Sequence, residues 1–287
     1  MSYYVLLTPS DTRRISRWPA ICTDNTSTLI PRNAVTGRPC SGVNILLLWG
    51  KTDDGGYADA RFLTFKQAKE LGGSARKGEK GTEVVYMRFI EREDVSAPDK
   101  IKRIPMLRSF WVFNVAQCDL PEGALDKPLN DRRPVKRNER DATIEEFIAA
   151  TGARFRHGEP RAFYTTGGDF VNMPAFDAFD SGHAYYATAF HDLGHWTGAP
   201  HPLNRTFGKR FGDRAYAAEE LVAELTSAFI CAEFGIDNDG QDAAYIATSV
   251  KFLTDHEQAI VAAASAASKA VEFMRGNAIE DEQQIAA

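Results

Sequence analysis

Hydrophobic residues follow two different patterns on either side of the polar segment formed by residues 121–140. Before that segment, short apolar runs alternate with turn residues at Val43–Trp49, Val84–Ile90 and Phe110–Val115, as expected of strands. One stretch with helical spacing interrupts them near Thr64–Leu71. The pattern therefore predicts a small mixed α+β fold for the first part of the chain.

After the polar segment, the pattern becomes predominantly helical. Gly198 and Gly235 stand where two of the helical segments should end. A strand pair within residues 161–173 should turn at Gly167 and Gly168. This part is thus predicted to be helix-rich with a small sheet, and the fold class of the whole chain is α+β. The predicted helices are Tyr185–Trp196, Tyr216–Phe234, Asp242–Thr254 and His256–Met274.

The length of 287 residues exceeds what one hydrophobic core usually supports, so two domains are expected. Residues 121–140 are rich in proline and charge and lack an apolar period, which is typical of a linker. We therefore expect a first domain at residues 1–120 and a second at residues 141–287.

The net charge of −5 hides an asymmetry between the two halves. Residues 1–140 hold 24 Lys and Arg against 17 Asp and Glu, a balance of +7, whereas residues 141–287 hold 10 against 22, a balance of −12. All six histidines lie in the acidic half. A basic half suits a polyanion, and a half rich in histidine and carboxylates suits a metal ion.

The four cysteines are widely scattered and form no Cys-x-x-Cys pair, which favours reduced thiols and argues against a cysteine-based zinc site. No run approaches the roughly 18 consecutive apolar residues of a membrane span. The N-terminal residues also lack the pattern of a secretory signal. We therefore expect a cytoplasmic protein that does not bind a membrane.

The segment HDLGHWTG places His191 and His195 four residues apart, so on a helix both imidazoles project from one face and can bind the same ion. About 25 residues downstream, the segment AEELVAEL offers Glu220 on a second helix with an apolar face. A His₂Glu set from two crossing helices leaves a fourth position open for water, as in catalytic zinc sites. The spacing therefore predicts a divalent metal ion, with Zn²⁺ the first choice.

Two features of this segment leave alternatives open. His201 follows at the spacing of the third histidine in metzincins and competes with Glu220 as third ligand, although Pro200 and Pro202 favour a surface loop. Asp192 occupies the position of the catalytic glutamate in H-E-x-x-H zincins, with a side chain shorter by one methylene. Asp192 could serve as a catalytic base or orient the metal site, so peptidase activity is left open.

Residues 61–89 interleave aromatic and basic side chains. Aromatic rings can stack on unpaired bases, while lysine and arginine neutralise phosphates. Alternating aromatics also occur in strands that pack a core, so packing is the alternative interpretation. The candidates for DNA contact are Arg61, Phe65, Lys66, Arg76, Lys77, Lys80, Tyr86 and Arg88.

Several stretches of the chain resemble the ArdC antirestriction proteins of conjugative plasmids, whose N-terminal domain is also similar to the leader part of plasmid TraC primases. They occur in the order of the family and span most of residues 31–275. The stretches are PRNAVTGRPCSGVNILLLW (31–49), FLTFKQAKELGGSARKGEKGTEVVY (62–86), LRSFWVFNVAQC (107–118), YYATAFHDLGHWTG (185–198) and AYAAEELVAEL (215–225).

The resemblance implies an N-terminal domain that binds single-stranded DNA, joined to a zincin-like metallopeptidase domain. It matches His191 and His195 to the metal histidines, and Glu220 to the downstream glutamate of a zincin pattern, E-x-x-A. The sequence of residues 1–30 does not resemble the amphipathic helix, ending in a Pro-Trp pair, with which these domains usually open, and Asp192 replaces the usual glutamate.

Three hypotheses follow for the function of the chain. The favoured one is an antirestriction protein that coats incoming single-stranded DNA and hinders host restriction endonucleases. The second is a zinc metalloprotease, tethered to single-stranded DNA, that cleaves a DNA-bound protein; its substrate could be a host restriction enzyme. The third is a metal-stabilised interaction protein.

Overall fold

The structure, a computed structural model, describes residues 29–94, 97–125, 135–199, 203–205, 214–236 and 257–276. Three predictions lie outside the described residues. They concern the helix Asp242–Thr254, the candidate ligand His201 and the fold of nearly all of residues 1–30. The middle of the predicted linker also lies outside them.

The first half contains short strands, a long hairpin and two helices. The strands are β1 (Arg32–Asn33), β2 (Arg61–Thr64), β3 (Ser74–Ala75), β4 (Thr82–Asp94), β5 (Ala97–Asn114) and β6 (Cys118–Asp119), and the helices are α1 (Val43–Gly55) and α2 (Phe65–Glu70). One sheet has the strand order β1-β2-β5-β4; β1 is parallel to β2, and the other neighbours are antiparallel. β3 and β6 form a separate antiparallel pair.

The apolar run Val43–Trp49 lies in α1, so the prediction of a strand here is wrong. A continuous apolar run has no period that separates a buried helix from a buried strand. In α1 the run is covered on two sides: Leu48 packs with the sheet residues Phe62 and Val84, whereas its neighbour Trp49 belongs to the large helical core. The helix ends at Gly56, which adopts the left-handed conformation that favours glycine.

The helical stretch predicted near Thr64–Leu71 is confirmed as α2. Thr64 caps this helix, because its hydroxyl accepts a hydrogen bond from the backbone N–H of Gln67 at 3.2 Å. The Gln67 side chain accepts in turn from the backbone N–H of Thr64 at 2.9 Å. This reciprocal capping fixes the point at which β2 turns into α2.

The second half contains three long helices and a small sheet, as predicted, and the α+β class is confirmed. The elements are α3 (Ala142–Ala150), β7 (Phe155–His157), β8 (Phe163–Thr165), β9 (Phe170–Met173), α4 (Gly182–Thr197), α5 (Arg214–Phe234) and α6 (Glu257–Met274). The predicted strand pair is β8 and β9, which turns at residues 166–169. β7 pairs with the other edge of β9, so the strand order is β7-β9-β8.

The largest hydrophobic cluster joins α4, α5 and α6 with α1 from the first half. The ring of Trp49 meets that of Phe229 on α5 with 5.7 Å between centroids. Just before α1, the backbone N–H of Gly42 donates to the hydroxyl of Ser268 on α6 at 2.7 Å. The division into two domains at residues 121–140 stays a prediction, and this packing means that the two parts share a core.

Among the described helices, none has an apolar stretch of sufficient length to cross a membrane.

Candidate metal centre

Helix α4 presents the two histidines at one end of the helical core. The helix begins at Ser181, whose hydroxyl accepts from the backbone N–H of Ala184 at 3.1 Å, and it ends just before Gly198. His191 and His195 lie one turn apart on the same face, and their Nε2 atoms are 3.1 Å from each other. The predicted convergence of the two imidazoles is therefore present in the structure.

Glu220 on α5 reaches the same point from the neighbouring helix. Its carboxylate oxygens lie 3.7 Å from Nε2 of His191 and 3.6 Å from Nε2 of His195. Two ligand atoms that each lie about 2.05 Å from a tetrahedral ion are about 3.3 Å apart. The three side chains thus have the separations of a tetrahedral divalent-metal site, and their donor atoms all lie within 4.8 Å of one another.

A close contact between two small residues lets Glu220 approach the histidines. Gly194 of α4 faces Ala223 of α5, and a Cβ atom on Gly194 would lie 2.9 Å from the Cα of Ala223. Any side chain at Gly194 would therefore push the helices apart. Since Ala223 follows Glu220 by three residues, this contact sets the distance between the carboxylate and the imidazoles.

The surroundings keep the His191 imidazole neutral. Burial, together with a smaller contribution from the neighbouring His195, lowers the pKa of His191 from 6.5 to about 3. A neutral imidazole has a free lone pair on one nitrogen, which is the form that binds metal ions. The chemistry of the donor set therefore fits a divalent cation.

Asp192, the candidate catalytic residue, is only 5% exposed and lies near the candidate ligands His195 and Glu220. Burial raises the pKa of its carboxyl from 3.8 to about 7; His195 opposes this shift, Glu220 adds to it, and a hydrogen bond from the backbone N–H of Tyr164 opposes it. A carboxyl with a pKa near 7 can hold or release a proton at neutral pH. Both roles considered for Asp192 remain predictions.

The predicted DNA-contacting residues divide into solvent-facing and internally paired groups. Phe65 is 50% exposed at the start of α2. Tyr86 is half-buried and its ring packs against that of Phe110, with 5.6 Å between centroids. Arg88 lies on β4 opposite Met106. The three lysine candidates, Lys66, Lys77 and Lys80, are exposed.

Two of the predicted arginines are engaged within the protein. Arg61 is buried, and its guanidinium forms a two-pronged ion pair with Asp59 at 2.8 to 3.1 Å. We therefore correct the prediction for Arg61, because its charge is already paired away from solvent. Arg76 contacts Glu79 and the carbonyl of Ala116, although almost half of its side chain stays exposed.

Sequence reasoning missed Trp111 on β5, which is 57% exposed. Thr64 of β2 pairs with Val112 of the antiparallel strand β5. Phe65 follows Thr64 and Trp111 precedes Val112, so the backbones of Phe65 and Trp111 are adjacent. The sequence contained a signal, because consecutive aromatics in a strand, here Phe110 and Trp111, must point to opposite faces. We call the exposed pair Phe65 and Trp111 the aromatic pair.

The chain matches two family models. Residues 16–113 match the N-terminal domain of anti-restriction factor ArdC, and residues 142–266 match a zincin-like metallopeptidase. The metal-free crystal structure of antirestriction protein ArdC from plasmid R388 is 38% identical, covers 93% of this chain and 95% of its own, and has a TM-score of 0.75. The Mn(II)-bound crystal structure of the same protein is 37% identical, covers 94% of this chain and 97% of its own, and has a TM-score of 0.74. The chain belongs to the ArdC family of antirestriction proteins.

Curated relatives of this ArdC-family chain include a TraC primase. The DNA primase TraC of Escherichia coli is 39% identical over 85% of this chain, which spans only 24% of the primase. The uncharacterised protein y4eC of Sinorhizobium fredii is 36% identical over 88% of this chain and 82% of its own length. The resemblance inferred from the sequence is thereby confirmed at the level of the family.

Proposed function

We propose that this ArdC-family protein binds single-stranded DNA in the cytoplasm and protects incoming plasmid DNA from host restriction endonucleases. The observation that carries the proposal is the aromatic pair on the part of the chain that matches the ArdC N-terminal domain. Exposed apolar side chains that adjoin one another commonly mark an interaction surface, whereas singly scattered ones do not. Unpaired bases are suitable partners, because every base can stack on such a ring.

The basic residues around the aromatic pair suit a phosphate backbone. Lys66 and Lys69 follow Phe65 on α2, and the Lys69 ammonium lies 5.6 Å from the centroid of the Phe65 ring. Lys77 and Lys80 are exposed in the turn between β3 and β4. Because phosphate contacts are independent of base identity, we expect binding with little sequence preference and strong dependence on salt.

Fluorescence anisotropy with a labelled oligothymidine tests this proposal. Trp111→Ala and Phe65→Ala should each weaken binding by about 5- to 150-fold, which corresponds to one lost stacking contact of roughly 1 to 3 kcal/mol. Phe163→Ala is the control, because Phe163 is a partly exposed aromatic residue of β8, outside the part of the chain that matches the ArdC N-terminal domain. Equal affinities for Trp111→Ala and wild type would exclude the aromatic pair as the DNA site.

We further propose that His191, His195 and Glu220 hold one divalent ion, with Zn²⁺ the first choice. The proposal rests on the convergence of the three side chains, the zincin-like family model and the Mn(II)-bound form of the related ArdC. Elemental analysis should find about one ion per chain, lost in His191→Ala. His157→Ala is the control, because His157 is an exposed histidine outside the cluster.

The second candidate function is a metalloprotease tethered to single-stranded DNA, which would cleave a DNA-bound protein such as a host restriction enzyme. Asp192 favours this candidate, since it is buried, directly follows the candidate ligand His191, and occupies the position of the catalytic glutamate in H-E-x-x-H zincins. A zinc ion in such a site lowers the pKa of its bound water and so supplies a nucleophile. Asp192 would then hold the proton that the water releases.

A protection assay during plasmid transfer separates the two candidates. If Asp192→Ala abolishes protection while DNA and metal binding survive, the protease is favoured; unchanged protection assigns the metal a structural role. Asp192→Glu restores the H-E-x-x-H pattern and should retain or raise protection in the first case. Glu220→Ala, run alongside, tests whether the metal is needed at all.

A further inference from the structure

The second nitrogen of each metal-site imidazole faces a buried glutamate of α5. Nδ1 of His195 lies 3.4 Å from a carboxylate oxygen of Glu219, and Nδ1 of His191 lies 3.5 Å from one of Glu224. Both glutamates are less than a tenth exposed. Each histidine is therefore placed between a carboxylate at Nδ1 and the proposed ion at Nε2.

Arg205 anchors Glu219 from the segment that follows α4. Its Nε donates to one carboxylate oxygen of Glu219 at 2.9 Å, and its Nη2 donates to the other at 2.7 Å. The same guanidinium donates to the carbonyl of Gly194 at 2.6 Å and to the hydroxyl of Thr197 at 2.9 Å. Arg205 thus ties Glu219 of α5 to the C-terminal turn of α4.

This arrangement selects one orientation and one tautomer of His195. A neutral imidazole has one N–H, and a carboxylate at Nδ1 accepts that hydrogen. The lone pair then resides on Nε2, where the proposed ion would bind. Arg205 fills both oxygens of Glu219 in a fixed fork, so the carboxylate cannot rotate away from the imidazole.

We propose that Glu219 is a positioning residue for the metal histidine His195, and that Arg205 holds Glu219 in place. The inference rests on the proposed metal site at His191, His195 and Glu220. Neither Glu219 nor Arg205 would contact the ion; their contribution is to hold Nε2 of His195 where the ion binds.

Mn²⁺ binding to the full chain tests the proposal, with the free ion measured by its electron paramagnetic resonance signal. Arg205→Met and Glu219→Gln should each weaken Mn²⁺ binding by about 10- to 100-fold, the usual effect of removing such a partner. Arg205→Lys keeps the positive charge but loses the two parallel hydrogen bonds of the guanidinium, so its Mn²⁺ affinity should lie between those of Arg205→Met and the wild type. Arg275→Met is the matched control, because Arg275 forms an ion pair with Glu233 on the same helix α5, away from the cluster.

A second measurement separates positioning from a loss of folding. Nitrogen NMR of histidine-labelled, Zn²⁺-loaded protein should show His195 with hydrogen on Nδ1 and metal on Nε2, and Arg205→Met should show a mixture of forms. Circular dichroism of the metal-free variants reports folding, and Glu219→Gln, which nearly preserves side-chain shape, serves if Arg205→Met does not fold.

Different outcomes would refute the proposed metal site and the proposed positioning role. If the wild type takes up no Mn²⁺, the proposed metal site fails. If the wild type binds Mn²⁺ while folded Arg205→Met and Glu219→Gln bind it equally well, with His195 in the same form, the metal site stands and the positioning role is refuted.

Discussion

Replacing Asp192 with Asn should make the metal-free protein lose stability on acidification relative to the wild type. Burial raises the pKa of Asp192 from 3.8 to about 7 in the folded chain. Between these two pH values the folded chain binds a proton that the unfolded chain does not. Protonation of Asp192 therefore favours folding as the pH falls below about 7, and this contribution is lost as the pH rises through that value.

His191 acts in the opposite sense. Burial, with a further contribution from His195, lowers its pKa from 6.5 to about 3. Between these values the unfolded chain binds a proton that the folded chain does not, so acidification favours unfolding. Each group changes the free energy of unfolding by about 1.4 kcal/mol per pH unit within its own range. The two slopes therefore cancel between pH 3.8 and 6.5.

Urea unfolding of the metal-free protein at a series of pH values measures this compensation. The difference in unfolding free energy between wild type and Asp192→Asn should grow by about 3 kcal/mol as the pH falls from about 6.5 to 4.5. For His191→Asn, the difference in unfolding free energy from the wild type should change with pH in the opposite direction. The double variant should show the same dependence of unfolding free energy on pH as the wild type. A difference that stays constant over this range would refute the reasoning that the folded protein keeps Asp192 protonated.

Three further substitutions test the packing. Gly194→Ala should weaken Mn²⁺ binding and cost about 1 to 3 kcal/mol of stability, because the new methyl group would meet Ala223; unchanged metal affinity would contradict this. Trp49→Ala should cost about 3 to 5 kcal/mol in urea unfolding, because it removes the packing on Phe229; a loss below 1 kcal/mol would argue against the shared core. Thr64→Ala should cost about 1 kcal/mol through the lost cap of α2, whereas Thr64→Ser should cost little.

The helices that carry the proposed metal site could be predicted because their signals are local. The four-residue spacing of His191 and His195 and the position of Gly198 lie within a few turns of one helix, and the apolar face around Glu220 lies within a few turns of the next. The two-residue strands could not be predicted, since such strands depend on partners distant in sequence. Residues Arg32–Asn33, for example, pair with a strand that begins almost 30 residues later.

The histidines and Glu220 could be predicted, whereas their supporting residues required the structure. Arg205 lies in a segment without apolar period, and nothing in its neighbourhood indicates that it reaches back to α4. Arg61 was predicted to contact DNA because of its positive charge, but in the structure it is buried and paired with a carboxylate. A signal was available there, since Asp59 stands two residues earlier and captures the guanidinium.

Helix α1 connects the proposed DNA surface with the proposed metal site through consecutive residues. Leu48 packs under the sheet that carries Trp111, and Trp49 packs on Phe229 of α5, the helix that carries Glu220. Because α1 is buried on both sides, it cannot shift against one part without disturbing contacts with the other. The two sites of this ArdC-family protein are therefore held on one continuous framework, even though their functional residues come from different halves of the sequence.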